Sequence, residues 1–383
     1  MSGAGTARNL LLLGWVSLLT DASSQMIFPL LPFFLSTVLG AAPWTIGAIE
    51  GAADSLSAWL KGWSGRRSDQ EGRRKPYVVL GYGLSTLAKL LFLPALSWTL
   101  VLSARLVERI GKGLRSAPRD ALIADTVPAE RRGAAFGWQR SMDAAGGVLG
   151  ALLAWALFDH YDYAGVFLWA LVPAALAVLL TFLLTEVAVA PPSDGLPPPT
   201  MTPLSPALQR ALWVVALNTA GRLSFAFLLL AAGSASMSVT NALLLYAGYQ
   251  SVYAMLGTPL GRMADRLGRQ VLLQAGAGLL LLAYAALAAG ACWATAATPL
   301  LLLAMFAYAV GEAALDSTQR AWFADLAPRG ERGRVLGAYH AVVAWVALPG
   351  GLLLGWLWGQ QIVLACAVAA VLTLLGMALT RRD

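Results

Sequence analysis

Long apolar runs, each near the length of a bilayer-spanning helix, recur from one end of the chain to the other. A spanning helix needs roughly 20 predominantly apolar residues. Leu10–Val38, Tyr77–Leu96, Val166–Leu184, Val271–Cys292 and Ile362–Leu379 meet that length, and each is bounded by charged or Pro/Gly-rich sequence. Of the 383 residues, 58% are hydrophobic and 12% charged, against about 45–50% and about 25% in soluble domains. Such a chain cannot cover its own surface with polar side chains, so the surplus must face lipid. The first run continues past Asp21 through Ile27–Leu35 with no small-residue cleavage site, which reads as a retained helix and not a signal peptide. Strand periodicity is absent.

Charge then sets a topology. Twelve spans are expected near 10–38, 43–63, 77–97, 98–118, 134–157, 164–186, 208–232, 239–261, 270–292, 298–322, 334–357 and 360–380. Alternate connections carry Arg66, Arg67, Arg73, Arg74 and Lys75, then Arg131 and Arg132, then Arg262, Arg266 and Arg269, then Arg329, Arg332 and Arg334. The opposite connections, such as Gly40–Pro43 and Asp159–Tyr163, carry no Lys or Arg. Short basic loops stay in the cytoplasm, which places both termini inside a cytoplasmic (inner) membrane. The net charge of +7 is thus a membrane-topology signal and not a nucleic-acid footprint. The Pro-rich stretch 190–207 reads as a cytoplasmic linker between bundles 1–189 and 208–383, since its prolines cannot continue a helix. Fold class is accordingly an all-α membrane protein, twelve transmembrane helices in two pseudo-symmetric six-helix bundles, expected as a monomer.

The two halves repeat one another. Ala124-Asp125, Pro128, Arg132-Gly133 and Gly137 reappear 200 positions later as Ala324-Asp325, Pro328, Arg332-Gly333 and Gly337. Gly65-Arg66-Arg67-Ser68-Asp69-Gln70-Glu71-Gly72-Arg73 reappears 196 positions later from Gly261 through Asp265 and Gly268 to Arg269. Parallel repeats of this kind build transporters with two six-helix halves. The doubled Gly-x-x-x-Asp-x-x-Gly-Arg pattern resembles the signature loop of the major facilitator superfamily, with Gln70-Glu71 departing from the usual basic and apolar pair. The run from Glu108 to Asp125 resembles a bacterial subgroup of drug or metal-ion efflux proteins. The resemblance implies alternating access, with Gly65, Asp69, Gly72, Arg73, Gly261, Asp265, Gly268 and Arg269 in cytoplasmic gating loops. Charge-assisted hydrogen bonds between such aspartates and arginines are suited to closing that face.

Ionisable residues inside the hydrocarbon region are costly and by default face a water path or one another. On the fourth span Arg105, Glu108, Arg109, Lys112, Arg115 and Arg119 fall within roughly a 120° arc. Six charges facing lipid are excluded, because each basic one alone would cost roughly 2.5–3.5 kcal/mol. Candidate substrate and proton residues are therefore Asp21, Gln25, Glu50, Asp54, Arg105, Glu108, Arg109, Lys112, Arg140, Asp143, Arg222, Glu312 and Asp316. Asp21 stands mid-span among small polar residues, ahead of Pro29 and Pro32. Lys89, alone on the third span, either snorkels or pairs with an acid. Gly146, Gly147 and Gly150 on the fifth span read as close-packing positions.

Proton-coupled efflux of a small molecule or ion is the leading functional expectation, with the proton gradient as driving force and no cofactor. Organic-anion or phosphate-ester exchange is the alternative, because Arg suits carboxylates and phosphates. A non-transporting receptor or scaffold is the reading from a different class. Metal efflux remains a subset of the first. No resident metal site is expected, with Cys292 and Cys366 the only cysteines and His160 and His340 the only histidines. Nothing resembles a nucleotide loop or nucleophile motif, so an enzyme is not expected.

Overall fold

The computed structural model describes residues 3–127, 132–186, 205–326 and 332–380, and every regular element among them is helical. Helix α1 spans Gly3–Ile27; a 3-10 turn (Phe28–Leu30), a short helical turn (Leu31–Phe33) and a π-turn (Phe34–Val38) continue it. Pro29 and Pro32 each remove a backbone donor there, which accounts for the irregularity. Then follow α2 (Pro43–Glu71), α3 (Lys75–Leu90), α4 (Trp98–Thr126), α5 (Arg132–Trp169) and α6 (Leu171–Phe182). Asp162 interrupts α5 with φ 57° and ψ −170°, inside the expected Asp159–Tyr163 connection. Beyond the linker come α7 (Pro206–Ala220), α8 (Phe225–Ser234), α9 (Val239–Leu267), α10 (Arg269–Cys292), α11 (Ala297–Leu326), α12 (Arg332–Gln360) and α13 (Ile362–Thr380). Residues 190–204 of the expected linker lie outside the described residues. Ser205 already caps α7 by accepting a bond from Leu208 N at 3.2 Å, with Pro206 in the first turn.

Three expectations change. The second and fourth spans do not stop at 63 and 118 but run as helix to Glu71 and Thr126. Hydropathy marks where lipid ends, whereas helical hydrogen bonding continues into the polar zone. Gly65, Asp69, Gly261 and Asp265 are consequently helical and not in loops. Only Gly72 (φ 62°) and Gly268 (φ 98°) take the left-handed backbone that ends α2 and α9, which is why glycine stands at both. The seventh span is broken, with residues 221–224 separating α7 from α8.

Seven stretches among the described residues are long and apolar enough to cross a bilayer. Helix α3, at 16 residues, is too short for that class, and α2 and α4 carry their stripes of charge.

The chain forms two compact units. Unit 1 comprises residues 1–28 and 56–203; unit 2 comprises 29–55 and 204–383. In unit 1, α1 packs on α5 and α6, and α3 on α4, around Leu13, Val16, Val78, Tyr82, Leu122 and Ile123. A Cβ on Gly146 or Gly150 would strike the Leu18 or Ala22 carbonyl, so these glycines bring α5 onto α1. In unit 2, α10 packs on α11 and α13, and α7 on α12 and α13. Gly47 and Gly51 on α2 meet Gly351 and Gly355 on α12 with no room for a Cβ between them.

Candidate functional site

The expected site residues fall into two clusters, one in each unit. In unit 1 the charged stripe of α4 meets α1, α3 and α5. Arg105 donates to Glu108 at 2.5 Å one turn on, and its guanidinium lies 5.3 Å from the centroid of the Phe28 ring. Lys89 is 1% exposed and donates to Ser23 Oγ at 2.6 Å; Ser23 donates onward to the Ala170 carbonyl at 2.5 Å. Lys89 therefore does not snorkel, and among the described residues it forms no direct acid pair. It bonds a hydroxyl, with Glu108 within electrostatic reach. Ser24, Ile27, Lys89, Phe92, Arg105 and Glu108 line a narrow crevice at this point.

Further along α4, Arg115 lies over the Tyr82 ring at 4.5 Å and donates to Ser85 Oγ. Gly81 and Gly111 have no room for a Cβ, which lets α3 and α4 approach closely enough for that contact. Arg119 donates to Ser17 Oγ at 3.1 Å and reaches Asp120 at 3.0 Å and Asp143 at 3.6 Å. Gln139 donates to Ser17 and, at 3.1 Å, to Asp143. Tyr82 and Gln139 were not legible as site residues, because each is an ordinary neutral side chain on an apolar face.

Asp21 sits amid this network without joining it. Among the described residues its carboxylate forms no hydrogen bond or ion pair, while Asp143, Lys112, Arg115 and Arg119 lie within electrostatic reach. Lys112, likewise unbonded among the described residues, faces Asp21, Glu108 and the neighbouring arginines. Gln25 and Arg109 are partly buried and Arg140 is exposed.

Unit 2 holds the second cluster. Arg222 lies in the non-helical segment 221–224 and pairs with Glu312 directly and with Asp316 at 3.8 Å, both on α11. Asp316 also accepts from Tyr253 at 2.8 Å. Carbonyls released by the break are taken up by phenols: Tyr284 donates to Gly221 O at 3.1 Å and Tyr308 to Leu223 O at 2.6 Å. Ser224 caps α8 by accepting from Ala226 N at 3.3 Å. Buried backbone groups need such partners, so the two tyrosines stabilise the break. Phe225 packs against Tyr249 with ring centroids 4.0 Å apart and planes tilted by 32°. Asp54 is exposed and lies within electrostatic reach of Arg222, and Glu50 is 9% exposed. The register that equates Asp125 with Asp325 also equates Lys112 with Glu312 (312 against 112), so the halves carry opposite charge at that position.

The two repeated segments, separate in sequence, bond to one another in each unit. Arg74 pairs with Asp69 and reaches Asp125 at 3.4 Å; Arg269 pairs with Asp265 at 2.6 Å and with Asp325 at 3.1 Å. Arg74, not Arg73, fills this place in unit 1. The consecutive arginines made the register ambiguous, and Arg73 forms no ion pair among the described residues. Arg74 is 6% exposed and also donates to Ser68 at 3.0 Å, whereas Asp265 and Asp325 are 61% and 59% exposed. Arg74→Gln is therefore expected to cost about 2 kcal/mol, less than a fully buried pair because Asp69 keeps its water. Arg269→Gln is expected to cost under about 1 kcal/mol, and Arg73→Gln within about 0.5 kcal/mol. Equal melting shifts for Arg74→Gln and Arg73→Gln would show that the triad adds nothing.

A profile of the Major Facilitator Superfamily matches residues 13–244 and 211–383. An MFS-type transporter of Methanocaldococcus jannaschii is 31% identical over 92% of this chain and 89% of its own length. The multidrug resistance protein MdtG of Salmonella arizonae is 26% identical over 46% of this chain and 44% of its own. Among solved structures, the nucleoside transporter NupG superposes with a TM-score of 0.81 at 13% identity, covering 97% of this chain and 99% of that one. A D-xylose-proton symporter superposes with a TM-score of 0.76 at 14% identity, covering 98% and 97%. The fold is shared with these, and the near full-length profile and sequence matches establish that this chain belongs to the major facilitator superfamily of multi-pass membrane transporters.

Proposed function

We propose that this transporter is a proton-coupled exporter of a small molecule or ion, working by alternating access. In this reading twelve spans form two six-helix bundles, 1–189 and 208–383, joined by the 190–207 linker. The protein acts as a monomer in the cytoplasmic membrane with both termini inside, and needs no cofactor beyond the proton gradient. The placement of Asp21 carries the reading: a carboxylate within a membrane span, with no direct bond among the described residues, in the combined field of Lys112, Arg115, Arg119 and Asp143. Such a group gains or loses a proton as its neighbours shift. Cargo that alters the balance between those cations and Asp143 is thereby linked to the proton. Similarity to the multidrug resistance protein supports export. The paired triads around Arg74 and Arg269 are suited to a cytoplasmic gate, since their bonds are charge-assisted and shared between helix ends.

A second reading, exchange of organic anions or phosphate esters, is favoured by Lys112. Arg105, Arg115 and Arg119 are engaged, whereas the Lys112 ammonium has no hydrogen bond or ion pair among the described residues and is open to an anion.

Purified protein in proteoliposomes with an internal pH dye separates the readings. Efflux predicts that members of a cargo panel accumulate uphill only under an imposed pH gradient, and that adding such cargo without a gradient moves protons. Uphill accumulation that survives a protonophore, confined to anions and driven by a counter-anion, would replace the first reading with the second.

A further inference from the structure

We propose that unit 2 carries a binding site for a small organic cation of the guanidinium or primary ammonium class, occupied in this structure by the protein's own Arg222 side chain. The two partners of the Arg222–Glu312 pair differ in their freedom. Glu312 is 3% exposed and fixed on α11 between buried neighbours, whereas Arg222 is 46% exposed and rides on the non-helical segment 221–224. The carboxylate is the built part of the site and the cation is the movable part. Asp316, one turn further on α11, lies 3.8 Å from the same guanidinium, and Asp54 is within electrostatic reach. Two carboxylates on one face of α11, Glu312 and Asp316, thus converge on the same guanidinium, with Asp54 contributing to the field there.

Aromatic side chains complete the recognition. Tyr308, whose hydroxyl donates to Leu223 O at 2.6 Å beside Arg222, and Tyr249, whose ring centroid lies 6.3 Å from that of Tyr308, form an aromatic wall next to the pair, and aromatic rings suit a partly desolvated cation. A planar guanidinium matches paired carboxylate oxygens in a way a quaternary ammonium cannot. Entry of such a ligand requires only that Arg222 turn toward its exposed side. Arg222 is then a tethered competitor, and apparent affinity falls by the fraction of time it holds the site.

The proposal rests on the transport reading for its purpose, but binding is measurable without a gradient. Butylguanidinium is titrated calorimetrically into purified full-length protein in detergent. Wild type and Arg222→Lys are expected to bind weakly, and Arg222→Ala about tenfold more tightly once the competitor is removed. Glu312→Gln is expected to abolish binding, and Tyr249→Leu to weaken it. Tetramethylammonium is expected to bind none of these forms. Absence of binding to wild type, binding that survives Glu312→Gln, or no gain in Arg222→Ala overturns the proposal. If Arg222→Ala does not fold, Glu312→Gln decides alone, since binding that survives it sinks the proposal. Gly278→Ala, outside both charged clusters and with nothing within 4 Å of its added Cβ, is expected to leave butylguanidinium binding unaltered. Proton-driven transport without guanidinium binding would remove this site only; binding without proton-driven transport would remove only the coupling reading.

Discussion

Asp21→Asn is expected to reduce pH-driven uphill transport to the level of protein-free vesicles while leaving the protein folded. The substitution is close to isosteric and, because no group donates to the carboxylate among the described residues, it orphans no hydrogen bond. Attraction to Lys112, Arg115 and Arg119 is lost, and repulsion from Asp143 is relieved. These changes oppose one another, so stability is expected to move by no more than about 1 kcal/mol. What disappears is the ability to exchange a proton. Downhill exchange of cargo, which needs no net proton movement, is expected to persist. The decisive measurement is dye-reported proton flux beside labelled-cargo uptake in the same vesicles. Wild-type coupling in the variant would remove Asp21 from the mechanism.

The largest loss of stability is expected from Gly351→Leu. A Cβ at this position would run into the Gly47 carbonyl and come within 3.3 Å of Gly51 Cα; reciprocally, a Cβ on Gly51 would lie 2.6 Å from Ala347 O and 2.9 Å from Leu348 Cα. All of these are backbone atoms, which cannot rotate away as a side chain would. Overpacking a core typically costs 1–3 kcal/mol, and here the cost is expected at or above about 3 kcal/mol. Gly278→Ala on α10 is the control, since nothing lies within 4 Å of its added Cβ; it is expected to be neutral or to gain about 0.5–1 kcal/mol of helix propensity. Monodispersity after heating, followed by size exclusion, reads both. A Gly351→Leu protein as heat-resistant as wild type would mean that α2 and α12 are not packed as described.

Membrane character, the family and the doubled Gly-x-x-x-Asp-x-x-Gly-Arg segment were legible in sequence, because lipid exposure and repetition leave marks in composition and spacing. The charged stripe of α4 was legible for the same reason, since charges at helical spacing in an apolar run have few places to point. Other features depend on partners far away in the chain. Nothing in Asn218-Thr219-Ala220-Gly221-Arg222-Leu223-Ser224 demands a break, as no proline is present. The helix stops there because Tyr284 and Tyr308, more than sixty residues on, take its carbonyls. The third span alone leaves Lys89 either snorkelling or paired with an acid, and the acceptor chain of Ser23 and Ala170, distant in sequence, is not visible there. Hydropathy places the helix ends at 63 and 118, but the polar residues beyond them continue the helix to Glu71 and Thr126. The glycines at 47, 51, 351 and 355 stand at four-residue spacing and were open to recognition as a close crossing.

That α2 changes allegiance in mid-helix bears on how this chain can be dissected. Its residues 43–55 are packed with the C-terminal helices, while those from Leu56 belong with the N-terminal ones. A fragment ending at the natural seam near residue 190 would leave Gly47 and Gly51 with their flat, side-chain-free faces bare. The C-terminal covalent half taken alone would lack residues 29–55 of its own compact unit, like a board cut short of its tenon.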